Sequence, residues 1–165
     1  MLRVLLISLA IFLCASLPSV AMAQGLPPSP VKYLRTGRYV PFSELAPKGK
    51  VTLICFWATW CLPGKRQIKT IVRNLPQWHR IADFNFITIA EDHQSIDGLE
   101  LRYARSQKWQ FPHYLDETNA LKSSLKFYAL PYTIIIDRKG SIIYSHTGYI
   151  EGENLHQELK RIANK

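Results

Sequence analysis

Two continuous apolar runs, Val51 to Trp57 and Phe84 to Ala90, interrupt the mixture of polar and apolar positions found elsewhere in the chain. Runs of this length, rich in β-branched and aromatic residues, predict strands buried on both faces. Between them the period changes. Ile68, Ile71, Val72 and Leu75 recur at helical spacing, with Lys65, Arg66, Lys69 and Arg73 elsewhere on the turn, so an amphipathic helix is expected to join the two strands. A helical crossover makes the strands parallel, in a right-handed βαβ unit. Upstream, Arg38 to Leu45 reads as a short extended segment and turn that leads through Pro47-Lys48-Gly49-Lys50 into the first run.

Downstream, 98–108 is a weaker helix, Phe111 to Leu115 a short edge strand, and a further helix carries Leu121, Ser124, Leu125 and Tyr128 on one side. Tyr132 to Ile136 and Ser141 to Ser145 flank Asp137-Arg138-Lys139-Gly140, whose final glycine suits a hairpin with a left-handed position. Leu155, Leu159 and Ile162 give one apolar face to a last helix. This order predicts an α/β fold, a mixed central sheet with helices on both faces.

The first residues carry a different pattern. Arg3, the apolar stretch Val4 to Leu13 and the small-x-small tripeptide Ala21-Met22-Ala23 ahead of Gln24 have the form of a cleaved signal peptide. Val4 to Leu17 is shorter than the roughly 20 apolar residues that span a bilayer. Residues 1–23 are therefore expected to be a signal peptide, 24–36 a Pro-rich tether containing Pro27, Pro28 and Pro30, and 37–165 a single domain. Cleavage near Ala23/Gln24 implies a periplasmic or other extracytoplasmic location, where disulfides persist.

Of the three cysteines, Cys14 would leave with the signal, so that Cys55 and Cys61 remain. No Cys or His pair stands at zinc spacing, so neither a metal nor another cofactor is expected. Lys and Arg number 21 against 12 acidic residues, a net charge of +9, but the basic residues are scattered singly. That scatter points away from nucleic acid and toward a solvated monomer surface.

The candidate chemistry lies in Phe56-Trp57-Ala58-Thr59-Trp60-Cys61-Leu62-Pro63-Gly64. Cys61 falls where the first strand gives way to the helix. Unpaired N–H groups and the positive end of the helix dipole favour a thiolate there, with Lys65 and Arg66 adding positive potential. A partly exposed, reactive sulfur is expected. In an open sheet, ligands collect beyond the carboxyl ends of parallel strands, so Trp60, Cys61, Glu91, Asp92, His93, Leu130 and Pro131 should converge. His93 is a candidate proton carrier.

The stretch from Gly37 to Cys61, ending in Gly-Lys-Val-Thr-Leu-Ile-Cys-Phe-Trp-Ala-Thr-Trp-Cys, resembles the approach to the active site in the extracytoplasmic TlpA/ResA-like branch of the thioredoxin superfamily. Ala129 to Gly140 is similar to the same family's cis-proline loop and following hairpin, and the resemblance extends over about 37–163. It implies a thioredoxin-like fold and a cis Pro131 that presents the Leu130 backbone to an extended substrate. It also implies that Trp60 shapes the substrate surface while Pro63, Gly64 and Lys65 support Cys61.

One feature departs from the pattern: Cys61-Leu62-Pro63-Gly64 stands in place of Cys-x-x-Cys. The position that carries the resolving thiol in dithiol members is glycine. Monothiol routes remain, namely mixed disulfides with protein thiols, exchange with a small thiol, or reshuffling resolved by the substrate itself. The expected partners are cell-envelope protein thiols or disulfides, with a membrane-bound or small-thiol reductant; a redox-inactive binding or holding module is the alternative. Cys55 occupies the place of a buried Asp in thioredoxins and is either a second thiol or a small buried apolar residue. A peroxidase of the peroxiredoxin type would want threonine and proline where Ala58 and Ile54 stand.

Overall fold

The computed structural model describes residues 25–92 and 98–163. The runs read as buried strands form β3 (Val51–Trp57) and β4 (Phe84–Ala90), parallel neighbours joined by α1 (Leu62–Trp78). Around them the chain adds β1 (Pro30–Tyr33), β2 (Tyr39–Pro41), α2 (Leu99–Ser106), β5 (His113–Leu115), α3 (Ala120–Leu125), β6 (Tyr132–Ile136), β7 (Ile142–Thr147) and α4 (Gly152–Ala163). The strand order is β2-β1-β5-β4-β3-β6-β7 in a single mixed sheet. β4 pairs parallel with β5, while β6 pairs antiparallel with β3 and with β7.

Alternation along each strand divides the core into two layers. Leu53, Cys55 and Trp57 of β3 and Phe84 and Phe86 of β4 pack with Ile68 and Ile71 of α1 and Leu155, Leu159 and Ile162 of α4. Ile54 and Phe56 of β3 and Ile87 and Ile89 of β4 pack on the opposite face with Phe42, Leu121 and Phe127. Phe56 anchors that second layer, its ring centroid 5.0 Å from Phe127 and 5.8 Å from Tyr132. Every residue of β3 is buried, which explains why its sequence shows no alternation. No helix among the described residues is long and apolar enough to cross a membrane.

Three local expectations are corrected. The segment 24–36 is not a tether throughout, because Pro30–Tyr33 forms β1 between β2 and β5. Proline is tolerated at the first position of a strand, and the next residue, Val31, is fully buried. Second, β5 is an interior strand flanked by β1 and β4; that N-terminal segment covers the edge it would otherwise expose. Third, Tyr128 does not share a helix face with Leu121, since α3 ends at Leu125 and Lys126 takes a left-handed conformation (φ 56°). Tyr128 lies beyond the helix, 87% exposed.

Candidate active site

β3 carries the chain to the sheet edge at Trp57, and the end of β4 fixes the loop that follows. The Glu91 N–H donates to the Trp57 carbonyl at 2.8 Å. The Thr59 N–H and hydroxyl both donate to the Asp92 carboxylate, at 3.0 and 2.6 Å. A further bond from the Cys61 N–H to the Ala58 carbonyl (3.0 Å) closes the turn. Cys61 is thereby set as the N-cap of α1, with extended backbone angles (φ −88°, ψ 97°) and Pro63 in the first helical turn.

The sulfur does what a side-chain oxygen does in an ordinary cap: Sγ accepts the Gly64 N–H at 3.4 Å. This inward bond also corrects the expected exposure. Cys61 is only 6% exposed, because the side chain turns toward the first helical turn instead of out to solvent. An added Cβ at Gly64 would lie 3.3 Å from Cys61 Sγ and 3.2 Å from Trp57 Cβ. A side chain there would face the sulfur directly; glycine offers none.

Cys55 is a different kind of cysteine. It sits in β3 opposite Thr133 of β6 and is completely buried. Burial pushes its thiol up to about 12, with Thr133 holding the shift back in part and Cys61 adding to it. Both cysteines are free. A sealed, un-ionised thiol is a poor nucleophile, so Cys55 fits a small apolar member of the core better than a resolving thiol.

The rim of the site is apolar and exposed. Trp60 and Leu62, the residues on either side of Cys61, are 72% and 75% exposed. Tyr128 and the half-buried Leu130 lead to the buried Pro131, and the Leu130–Pro131 peptide bond is cis. Trp57, in contrast, is core, packed against Tyr103 and Trp109 at centroid distances of 5.4 and 5.3 Å.

Trp60 borders two hollows. Toward α2 lies an open groove of about 590 Å³ formed with Thr59, Lys65, Arg102, Tyr103 and Ser106. The Lys65 ammonium stands 4.8 Å from the centre of the Tyr103 ring, a cation–π placement that holds it toward the groove. Toward the cis-proline loop lies a smaller cavity of about 270 Å³, formed with Glu91, Asp92, Lys122, Tyr128 and Leu130.

Glu91 is 5% exposed, and neither carboxylate oxygen has a hydrogen-bond partner among the described residues. Burial drives its pKa up to about 9, with Asp116 and Asp92 pushing the same way and Lys122 opposing them. It is therefore held as the neutral acid at pH 7. The nearby Asp116, in contrast, is hydrogen-bonded: the N–H groups of Ala120 and Leu121 donate to its carboxylate at 3.1 and 2.7 Å.

The residues picked from sequence thus divide. Trp60, Glu91, Asp92 and Leu130 meet at one cavity, and Cys61, Pro63, Gly64 and Lys65 form the adjoining cap and first helical turn. His93 lies outside the described residues. Arg102, Tyr103, Lys122 and Tyr128 carry no motif that marks them in the sequence; only the tertiary fold brings α2 and the turn after α3 to this edge.

Comparison with known proteins agrees with this fold. The protein is similar to the thiol-disulfide oxidoreductase ResA of Bacillus thuringiensis subsp. konkukian, 25% identical over 116 residues that cover 70% of this chain and 65% of the relative, just under two thirds of its length. It is similar as well to the sporulation thiol-disulfide oxidoreductase A of Bacillus subtilis, 23% identical over 157 residues covering 88% of each chain. Among solved structures, a thioredoxin-like protein from Porphyromonas gingivalis superposes with a TM-score of 0.73 at 26% identity, covering 84% of this chain and 92% of the other. The sequence model of the AhpC/TSA family matches residues 28–145, and the chain, with its thioredoxin-like fold, belongs to that family.

Proposed function

We propose that this protein is an exported thioredoxin-like protein that carries out thiol-disulfide exchange on cell-envelope polypeptides through Cys61 alone, as a monothiol oxidoreductase or isomerase. The observation that carries the reading is the Cys61 sulfur bound by the Gly64 N–H at a helix N-terminus, where the facing residue has no side chain. The names of the sequence relatives, thiol-disulfide oxidoreductases, support the reaction class.

In this reaction the Cys61 thiolate attacks one sulfur of a substrate disulfide. A new S–S bond forms to Cys61, the old one breaks, and the other substrate sulfur leaves as a thiolate that takes a proton from water. Without a neighbouring thiol the mixed disulfide waits for the substrate's own thiol, which gives isomerisation, or for an external thiol, which gives net reduction. The exposed Trp60, Leu62 and Tyr128 offer an apolar surface to an extended polypeptide, and Leu130 and Pro131 present a backbone edge for pairing.

The test is recovery of activity from a scrambled disulfide protein in a buffer containing a small thiol. Recovery above the buffer rate, lost in Cys61→Ser, is the expected result. No recovery above buffer by the unaltered protein would favour a redox-inactive holding module built on the same fold.

A further inference from the structure

The groove between Trp60 and α2 has no role in the exchange as described, and its composition is distinctive. Two cations, Lys65 and Arg102, contribute to its wall together with Thr59, Ser106 and the rings of Trp60 and Tyr103. Neither cation pairs with a carboxylate among the described residues. Among the described residues no acidic one lines it, whereas the second cavity bordered by Trp60 contains Glu91 and Asp92. Its volume of about 590 Å³ falls in the range of small-molecule sites, about 300–1,000 Å³. It is built partly by chain neighbours of the nucleophile: Thr59 and Trp60 precede Cys61, and the Lys65 N–H donates to the Cys61 carbonyl at 3.1 Å.

We infer that this groove seats a low-molecular-weight anionic thiol that resolves the Cys61 mixed disulfide in place of the side chain missing at Gly64. The inference rests on the single-thiol reading above and names its co-reactant. Chemistry and charge point to the same occupant. A chain with no in-loop resolving thiol needs one from outside, and ammonium and guanidinium groups without a carboxylate partner among the described residues select a carboxylate-bearing partner.

The first small thiolate attacks Cys61 Sγ, forming a disulfide with it while the substrate sulfur leaves as thiolate. A second small thiolate attacks the outer sulfur of that adduct, releasing the Cys61 thiolate and a small-molecule disulfide. These two steps oxidise two small thiolates to one disulfide and release the Cys61 thiolate and the bound substrate thiolate; with the initial attack by Cys61, the full cycle reduces the substrate disulfide to two thiolates. Substrate is held on the cis-proline side of Trp60, and the resolving thiol approaches from the α2 side.

The experiment uses the full protein carrying a reporter peptide as a mixed disulfide on Cys61. Peptide release is timed with mercaptopropionate, mercaptoethanol and cysteamine, which are alike in size but anionic, neutral and cationic. Each rate is divided by the rate for the same disulfide on an unstructured cysteine peptide, which removes intrinsic thiol reactivity. The expected result is an about tenfold preference for the anion over the cation. In Arg102→Glu the preference should collapse toward unity, the rates being further divided by that variant's own alkylation rate at Cys61 with neutral iodoacetamide. Lys160→Glu, on exposed α4, makes the same change in net charge and should keep the preference.

Equal normalised rates for the three thiols would overturn the groove assignment, as would an equal loss of preference in Lys160→Glu, which would trace selection to overall charge. Failure of the protein to form the peptide mixed disulfide at all would instead overturn the single-thiol reading beneath it.

Discussion

On the α2 side of Trp60 the hollow is open and cationic, with Lys65 and Arg102 and no carboxylate among the described residues, while on the cis-proline side it is smaller and holds Glu91 and Asp92 beside the exposed Lys122. The difference in burial matters as much as the difference in sign. Charges in an open groove are screened by water and salt, so they select and steer small ligands while adding little to stability. A carboxyl sealed without partners acts the other way: Glu91 weighs on folding and on its pH dependence before any substrate arrives. One residue, Trp60, separates a surface built for approach from an interior that stores a cost.

The sharpest way to alter this contrast is to supply the missing side chain. Gly64→Cys places a thiol facing Cys61 Sγ, with its Cβ 3.3 Å from that sulfur and the Trp57 side chain yielding a few tenths of an ångström. Release of a trapped peptide should then proceed without added thiol, at least ~10-fold faster than in the parent, because the attack is intramolecular. The preference for anionic thiols should disappear with it. Peptide release followed by mass spectrometry checks both outcomes.

Glu91→Gln addresses the other side. The folded-state pKa of about 9 lies above the ordinary value of 4.5, so the unfolded chain gives up its proton at lower pH than the folded one. Raising the pH from about 4.5 to about 9 therefore favours unfolding, by up to about 1.4 kcal/mol per pH unit. The neutral amide should remove that dependence. Thermal melts should show the variant close to the parent near pH 5 and more stable by several degrees near pH 8; a constant offset at both pH values would mean that Glu91 is ionised in the fold.

The smallest effect is expected from Cys55→Ala. Loss of a buried sulfur should cost about 1 kcal/mol in denaturant midpoint measurements, while exchange through Cys61 stays within about twofold. A larger fall in exchange would assign Cys55 a part in the chemistry.

The extent of β3 and β4 was readable residue by residue, because strands buried on both faces leave uninterrupted apolar runs and the intervening helix changes the period. Cys61 was readable as the junction between them. Pro30 hid β1, since a proline-rich stretch has the local composition of a tether and only pairing with β2 and β5 makes it a strand. β5 was found as an edge and proved interior for the same reason: its outer neighbour comes from the distant N-terminal segment. The inward turn of the Cys61 sulfur and the meeting of Lys65 with Arg102 across α1 and α2 depend on side-chain direction and tertiary contact, which no local pattern records. Glu91 was placed correctly at the strand end, but that its carboxyl lacks a partner follows from what surrounds it in space.

A brief pulse of iodoacetamide near neutral pH tests most directly whether Cys61 reacts as an activated thiol despite its low exposure, with Cys55 and an unstructured cysteine peptide as references in the same tube. Peptide mapping should find Cys61 alkylated about tenfold faster than the free peptide, with Cys55 unmodified. Alkylation of Cys61 no faster than the peptide would contradict the account and leave the fold without its proposed chemistry.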